Sequence, residues 1–392
     1  MSRKKVVVAG GGAAGLTAAI MAARKGAEVT VLEQNEKPGK KICATGNGKC
    51  NLSNTKLPKD AYRGSHPQFV QGALSQFSQQ DTRSFFEKMG IYFTDRDGCL
   101  YPRSGQAQSV VDVLVLEARS LGVKIKTNEK VTGIRREECW KVYTEGWHYP
   151  AEAVILANGS KASAISGSDG SGYLLAEALG HHVIKPLPAL TALKCQGKGF
   201  SAWAGVRTEG EVTLCIDGKP LYRERGELQL TEYGISGIPV FQISRYAVRA
   251  LDEKKAVSLN VDFLPEIAVE SFPGFLEERR KSCPYKSEKE LLLGIFPDKL
   301  IKVLTGQKNL TEAVKAFPLK VTGGMSFAQA QVCSGGVDTA EVDCMTMESV
   351  LNKGIYFAGE LLDIDGMCGG YNLQWAWSSG ACAGSHAAEI LS

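Results

Sequence analysis

The chain has 392 residues, 44% hydrophobic and 22% charged, with a formal net charge of +4. Its length exceeds what one hydrophobic core usually supports, so two or three domains are expected. The charge is too weak for a nucleic-acid or anionic-membrane surface, no apolar run approaches the roughly 20 residues of a membrane span, and the first strand starts too early for a signal peptide.

Residues 5–9 (KVVVA) form a short β-branched strand. The glycines Gly10-Gly11-Gly12 follow, then a helix over about 14–24 with Leu16, Ala19, Ile20 and Ala23 on one face. Gly26 ends that helix, and residues 28–33 (EVTVLE) are the second strand. Amphipathic helices are expected over about 67–78 and 81–89, the second anchored by Phe85, Phe86 and Met89. Residues 91–102 hold a short strand and a turn at Asp97-Gly98, residues 106–121 a helix, and residues 123–126 and 131–135 strands. A hairpin around Glu145-Gly146 and a buried strand over 153–157 (AVILA) follow.

After Pro188 the texture changes. Short alternating segments over 190–262 predict a small β-rich module, and residues 265–317 look helical and polar. From Val321 the glycine-rich, apolar texture returns and runs into the last helix, so one domain is expected to flank an insertion.

Gly10-Gly11-Gly12-Ala13-Ala14-Gly15 is a G-x-G-x-x-G between a strand and a helix, with the acidic Glu33 closing the next strand. Gly10 permits a tight turn, Gly12 lets the backbone approach a pyrophosphate, and Gly15 lets helix and strand pack closely. The helix start offers unpaired N–H groups and partial positive charge to phosphates. Glu33 can accept ribose hydroxyls and would repel a 2′-phosphate. A dinucleotide is the expected ligand, and this motif alone does not choose between NAD and FAD.

Three later segments point to FAD. Pro38-Gly39-Lys40-Lys41-Ile42 and Thr45-Gly46-Asn47-Gly48-Lys49-Cys50-Asn51 suit a loop lying along a phosphate and an extended ribityl chain. Ile155-Leu156-Ala157-Asn158-Gly159 is a strand running into a small-residue turn. Residues 354–360 end in Gly359-Glu360, and Gly369-Gly370-Tyr371-Asn372-Leu373-Gln374 opens the C-terminal helix. Reduced flavin is negative at its pyrimidine end, which a helix N-terminus stabilises. Non-covalent FAD is the expected cofactor.

These segments, with GSDGSGYLLAEALGH at 167–181, GELQLTEYGISGIPV at 226–240 and VTGGMSFAQAQVCSGGV at 321–337, resemble the BaiN-like flavoproteins over essentially the whole chain. That family is also described as NAD(FAD)-utilising dehydrogenases or aminoacetone-oxidase-family FAD enzymes. The resemblance implies an α/β fold, with a Rossmann-type, glutathione-reductase-like FAD domain and inserted β-barrel-like and small helical domains. The expected bounds are 1–189 for the first part of the FAD domain, 190–263 for the barrel-like insert and 264–318 for the helical insert. Residues 319–392 would return through the insert and complete the FAD domain.

The resemblance further implies that Glu33, with Gln34 beside it, meets the adenosine ribose, and that Val131 lies by the adenine through its backbone. Lys40, Lys41, Thr45, Gly46, Asn47, Cys50 and Asn51 would line the FAD. Gly359 and Glu360 would meet the ribityl-phosphate region, and Gly370, Tyr371, Asn372 and Leu373 the isoalloxazine. The family's T-G-G-G-R-C-N run is here T-G-N-G-K-C-N, and Lys49 keeps the charge but loses the guanidinium fork. Its later T-G-G is Ala157-Asn158-Gly159. Neither change removes a requirement for FAD.

The leading functional expectation is a reductase or dehydrogenase, in which NAD(P)H delivers hydride to FAD and a small organic acceptor, such as an enone, receives it. A flavin oxidase of an amine or α-amino ketone, using O2, is the second. A flavin-binding regulatory or interaction module without turnover is the third. No second strand-G-x-G-x-x-G-helix unit is visible, so NAD(P)H would visit the flavin transiently.

Cys43 and Cys50 lie where disulfide reductases carry a redox pair, but their C-x6-C spacing favours two small buried residues. Cys368, beside Gly369, is expected to be a packed loop residue and not a covalent tether. Eleven cysteines without a C-x-x-C pair argue against a disulfide scaffold or zinc site and for the cytoplasm. No metal site or catalytic triad is visible, and His181-His182 reads as a helix C-terminus. Tyr371 and Asn372 are the candidate catalytic residues, with helix capping and packing as the competing role. The expected partner is a small-molecule substrate, with no nucleic acid and no membrane; the oligomeric state stays open.

Overall fold

Short runs of Val, Ile and Leu build a five-stranded sheet from β1 (Lys5–Ala9), β2 (Glu28–Glu33), β3 (Lys124–Thr127), β4 (Ala153–Leu156) and β5 (Ile355–Phe357), in the order β5-β4-β1-β2-β3. Every neighbouring pair is parallel, with Val8 opposite both Ile155 and Val31. Parallel sheets are covered on both faces, which is why β4 (AVIL) is buried at every position. This computed structural model describes residues 3–163, 166–197 and 199–389. By internal contacts the chain divides into one unit of residues 1–186 with 332–392 and another of residues 187–331.

In the first unit α1 (Ala13–Arg24) follows β1, and α2 (Tyr371–Ala388) closes the fold beside it. Their contact is backbone to backbone. A Cβ on Gly380 would meet the Ala14 carbonyl oxygen at 2.4 Å, and one on Gly384 would meet that of Ala18 at 2.2 Å. Both pairs are four residues apart and run in the same order, so the helices are parallel. Gly380 lies well inside α2 while Ala14 lies at the start of α1. The start of α2 therefore projects about 12 Å beyond the start of α1, at 1.5 Å per residue.

Smaller elements decorate this unit. Gly133–Arg136, Trp140–Tyr143 and His148–Ala151 form an antiparallel meander, and the hairpin Phe93–Arg96 with Cys99–Pro102 pairs with the two-residue strand Ser53–Asn54. Where one helix is expected over 67–78, a 3-10 turn at Pro67–Phe69 leads into the helix Val70–Gln76. The next helix, Gln79–Lys88, is fixed at its start by a capping box between Ser78 and Asp81. The stretch after Gly39 is not a plain loop: it forms a helix at Lys40–Ala44 and a kinked 3-10 turn at Thr45–Gly48.

The second unit is a closed antiparallel barrel of Leu193–Gln196, Gly234–Gly237, Lys219–Thr231, Arg207–Ile216, Val257–Asp262 and Phe317–Gly324. The helix Ile238–Asp252 lays Val240, Ile243 and Ala247 against it. The helices Phe272–Ser282, Asp298–Thr305 and Leu310–Lys315 share the same apolar core through Phe272, Leu300, Leu304 and Val314.

Candidate functional site

Four of the segments singled out from the sequence lie at the C-terminal ends of sheet strands: residues 10–15 after β1, Glu33 and Gln34 at the end of β2, 157–159 after β4 and 358–360 after β5. That is the edge at which open parallel sheets bind ligands. The glycines of the first segment have different tasks. Gly10 has φ +107° and a Cβ there would meet the Ala157 oxygen at 2.4 Å, while a Cβ on Gly15 would meet the Gly10 oxygen at 1.9 Å. Both are closed by packing. Gly12 has φ −83° and no atom within 4 Å of a Cβ position, so room is left beside the helix start. No side chain caps α1, and the N–H groups of Ala13 and Ala14 are available to an anion.

Glu33 is buried at the end of β2. Its Oε2 accepts from Gly11 N at 2.7 Å, and its Oε1 accepts from Asn35 N at 2.8 Å and Asn35 Nδ2 at 2.6 Å. A carboxylate has about four acceptor positions, so this anchored group retains capacity for a hydroxyl. Gln34 donates its amide to the Gly167 oxygen. Asn128 and Glu129 donate to the Asn35 and Glu33 carbonyls at 3.1 and 2.9 Å, which draws the segment leading to the buried Val131 across the end of β2.

Lys41 and Glu360 form a half-buried ion pair at 2.6 Å although they are 319 residues apart in the chain. Lys41 Nζ also donates to the Ala162 oxygen at 3.3 Å, and Ser160 Oγ donates to Glu360 Oε2 at 2.9 Å. Lys40 is exposed. Thr45 donates its hydroxyl to the Ile42 oxygen at 2.7 Å, and Gly46 and Asn47 are both left-handed (φ 56° and 53°) on the exposed side of the turn. Gly359 is held between Ala14, which a Cβ would approach to 2.9 Å, and α2, where Ser379 accepts its N–H at 2.9 Å. Gly159 turns at φ +75°, and the buried Oδ1 of Asn158 has no hydrogen-bond partner among the described residues.

The start of α2 is tied to the loop before Ser53. Gly370 has φ +95°, and a Cβ there would meet both the Asn51 side-chain amide and the Ser53 oxygen at 2.7 Å. The Asn51 amide donates to the Ser53 oxygen at 2.9 Å and accepts from Gly370 N at 3.2 Å, while Asn54 Nδ2 donates to the Gly369 oxygen at 2.9 Å. No side chain caps α2 either.

Asn372 spends its amide on the turn before the helix, accepting from Gly366 N at 2.7 Å and donating to the Gly366 and Met367 oxygens at 2.9 and 3.3 Å. Tyr371 donates its hydroxyl to the Lys56 oxygen at 2.9 Å, and burial pushes its phenol pKa up. Leu373 packs partly buried against the core. Both candidate catalytic side chains are thus engaged with backbone.

Burial pushes up the thiols of Cys43 and Cys50, the latter to about 12, and the Asp112 carboxylate adds to the effect on Cys43. Both shifts favour the protonated thiol, which argues against dithiol exchange by this pair. No disulfide and no group of three metal-ligating side chains occurs among the described residues, nor is any described helix long and apolar enough to cross a membrane. The residues that the sequence did not reveal are Asn35, Ser160 and Ala162, whose partners lie far away in the chain or carry no motif.

The HI0933-like protein Rossmann domain matches residues 4–386. The chain is 43% identical to a 3-dehydro-bile acid delta(4,6)-reductase of Clostridium scindens, over 98% of this chain and 99% of that protein. It is 32% identical to a ribosomal RNA dihydrouridine synthase of Escherichia coli K12, over 98% of each. Among solved structures, the 3-ketosteroid-delta4-(5alpha)-dehydrogenase of Rhodococcus jostii RHA1 has a TM-score of 0.51 at 18% identity, covering 99% of this chain and 97% of that one. That last likeness is one of fold.

Proposed function

This chain belongs to the HI0933-like family and is an FAD-dependent oxidoreductase, and we propose that it is a reductase that uses NAD(P)H to saturate a carbon–carbon double bond conjugated to a carbonyl in a small organic molecule. Bound FAD supplies the hydride-transfer chemistry. The protein supplies binding, orientation and electrostatics.

One observation carries the placement of the cofactor: two uncapped helix starts, α1 and α2, point the same way and are offset by about 12 Å. A pyrophosphate at the first and the pyrimidine edge of an isoalloxazine at the second are separated by a five-carbon ribityl chain together with part of the ring system, a span of that order. The open space at Gly12 fits a phosphate, and Glu33 fits a ribose diol. Lys41 and Glu360 offer a cation and an acceptor to the stretch between, with the Thr45–Gly48 turn and Asn51 along one side and Ala157, Asn158 and Gly159 along another.

The substrate class rests on the chemistry shared by the two curated relatives. A delta(4,6) bond of a 3-keto steroid and the ring double bond lost when uridine becomes dihydrouridine are both conjugated to a carbonyl. A small molecule is preferred to RNA because the relative named for a bile acid is 43% identical and the one named for ribosomal RNA is 32% identical. All barrel strand pairs are antiparallel, so the described residues of that unit hold no second nucleotide-binding βαβ fold, and NAD(P)H and substrate would take turns at one site.

Anaerobic stopped-flow mixing tests the reading. Bleaching of the flavin by NADH or NADPH, followed by reoxidation with a 3-keto-4,6-diene, is the expected result. No bleaching with either nucleotide sinks the reductase. Reduction by an amine and rapid reoxidation by O2 would instead assign an oxidase, and dihydrouridine formed in a ribosomal RNA transcript would move the substrate to RNA.

A further inference from the structure

Gln374 lies one turn inside α2 and is fully buried, as are Ser53, Thr82 and Ser378 around it. Every polar position of its carboxamide is directed. Oε1 accepts from Ser53 Oγ at 2.6 Å, and Nε2 donates to Thr82 Oγ1 and to Ser378 Oγ, both at 2.8 Å. Ser378 in turn donates to the Phe77 oxygen at 2.6 Å, so its oxygen can only accept from Nε2 and the amide cannot flip. Gln374 N donates to the Gly370 oxygen at 3.0 Å. This side chain therefore fastens the first turn of α2 directly to the strand Ser53–Asn54 and the helix Gln79–Lys88, while its partner Ser378 ties the same helix to Phe77 at the end of the helix Val70–Gln76.

Ser53 is also the residue whose carbonyl receives the Asn51 amide, which accepts from Gly370 N. The loop before Ser53 and the start of α2 thus share one anchor. A buried network in which every member is satisfied holds its elements rigidly, because each alternative position leaves a desolvated polar group unpaired.

We propose that Gln374 is a positioning residue that aims the uncapped N–H groups of Tyr371, Asn372 and Leu373, and so sets how strongly the protein favours reduced over oxidised FAD. The inference rests on the placement of the isoalloxazine at the start of α2. Preorganised donors are effective only when their aim is held to within a fraction of an ångström. With the anchor loosened, the same donors stabilise negative charge less.

The test is the midpoint potential of the FAD-loaded full chain, measured by dye equilibration, for Gln374→Met, Thr82→Val and Ser378→Ala. Ser349→Ala, which removes a buried hydroxyl bonded to His181 (2.8 Å), serves as the control. In Gln374→Met the ratio of reduced to oxidised FAD at a fixed dye potential should fall about tenfold, or about 30 mV for a two-electron couple. The two partner variants should shift the same way by less, and Ser349→Ala should lower the melting temperature alone. Should Gln374→Met fail to fold, the two partner variants decide. FAD-loaded variants with the wild-type potential overturn the positioning role, whereas a wild-type chain that takes up no FAD overturns the cofactor placement beneath it.

Discussion

Gly380 lies so close to Ala14 that the carbonyl oxygen of the alanine occupies what would be the glycine's Cβ shell, 2.4 Å away. The obstacle is backbone and cannot swing aside. Gly380→Ala must push α2 from α1, and overpacking of this kind costs about 1–3 kcal/mol. Both helix starts belong to the proposed FAD site, so FAD retention should fall with stability. Urea unfolding and the flavin-to-protein absorbance ratio of the purified variant check this; a variant as stable as wild type would show that the helices part without cost.

The glycines of the first loop separate folding from binding. Gly10→Ala and Gly15→Ala would bring a methyl group to 2.4 and 1.9 Å from backbone oxygens, and both should unfold or fail to accumulate. Gly12→Ala meets nothing within 4 Å and has an ordinary φ of −83°. The apo chain should therefore keep its melting temperature while FAD binding weakens by tenfold or more, because the methyl group fills space left for a phosphate. Unchanged affinity in a titration of apo Gly12→Ala would place the pyrophosphate elsewhere.

That contrast also marks what the sequence could tell. The strand, glycine loop and helix at residues 5–24, and Glu33 beyond them, are legible because each acts within its own short stretch, through φ angles, helix periodicity and β-branched runs. Lys41 with Glu360, and Gln374 with Ser53 and Thr82, are joined only by the fold, 319, 321 and 292 residues apart. Motif resemblance put Lys41 and Glu360 near one cofactor but not in one ion pair. The helix Lys40–Ala44 hides in a run that looks like loop because left-handed Gly39 and Gly46 bracket it closely. Tyr371 and Asn372 suggested chemistry by their place at the start of the last helix, with capping and packing as the rival role, and their partners, the Lys56 and Gly366 backbone, show the anchoring.

The thiols near the flavin loop should be inert. Cys50 is fully buried with its pKa pushed up to about 12, and Cys43 is raised as well. A raised thiol pKa keeps the protonated form through neutral and mildly alkaline pH, and the thiolate is the reactive species. Iodoacetamide at pH 8 should leave Cys50 unmodified in the folded chain, and Cys50→Ala should keep its activity. Loss of a countable thiol pair on flavin oxidation would contradict this.

His181 should give the fold an acid-side weakness. Its side chain is wholly buried, with Nδ1 3.1 Å from Glu341 Oε2, Nε2 2.8 Å from Ser349 Oγ, and the ring edge-on to Phe357. Burial lowers the imidazole pKa, and the Glu341 carboxylate opposes part of that effect. The unfolded chain, with a pKa of about 6.5, then binds the proton more readily than the folded one. Stability is full above that value and falls as pH drops toward the lowered folded pKa. His181→Gln should flatten this dependence between pH 7.5 and 5.5 in urea titrations, and equal slopes for variant and wild type would assign the acid sensitivity to other groups.

Lys41 and Glu360 can be separated by a double-mutant cycle. Lys41 touches Glu360 at 2.6 Å and Ala162 at 3.3 Å, and Glu360 keeps Ser160 at 2.9 Å when the lysine is removed. A lysine that binds a phosphate directly contributes a hydrogen bond between charged groups, about 1.5–3 kcal/mol, so Lys41→Met should weaken FAD by roughly tenfold to a hundredfold. Much of that loss should disappear at high salt, where a partly exposed ion contact is screened. If Lys41 serves only to hold Glu360 in place, its removal will cost nothing further once Glu360→Gln has been made. If it meets the phosphate itself, the two losses in FAD affinity will add to within a few tenths of a kcal/mol. The apo melting temperatures of the single variants calibrate the cycle, since both side chains are partly exposed and the pair alone should add little to stability.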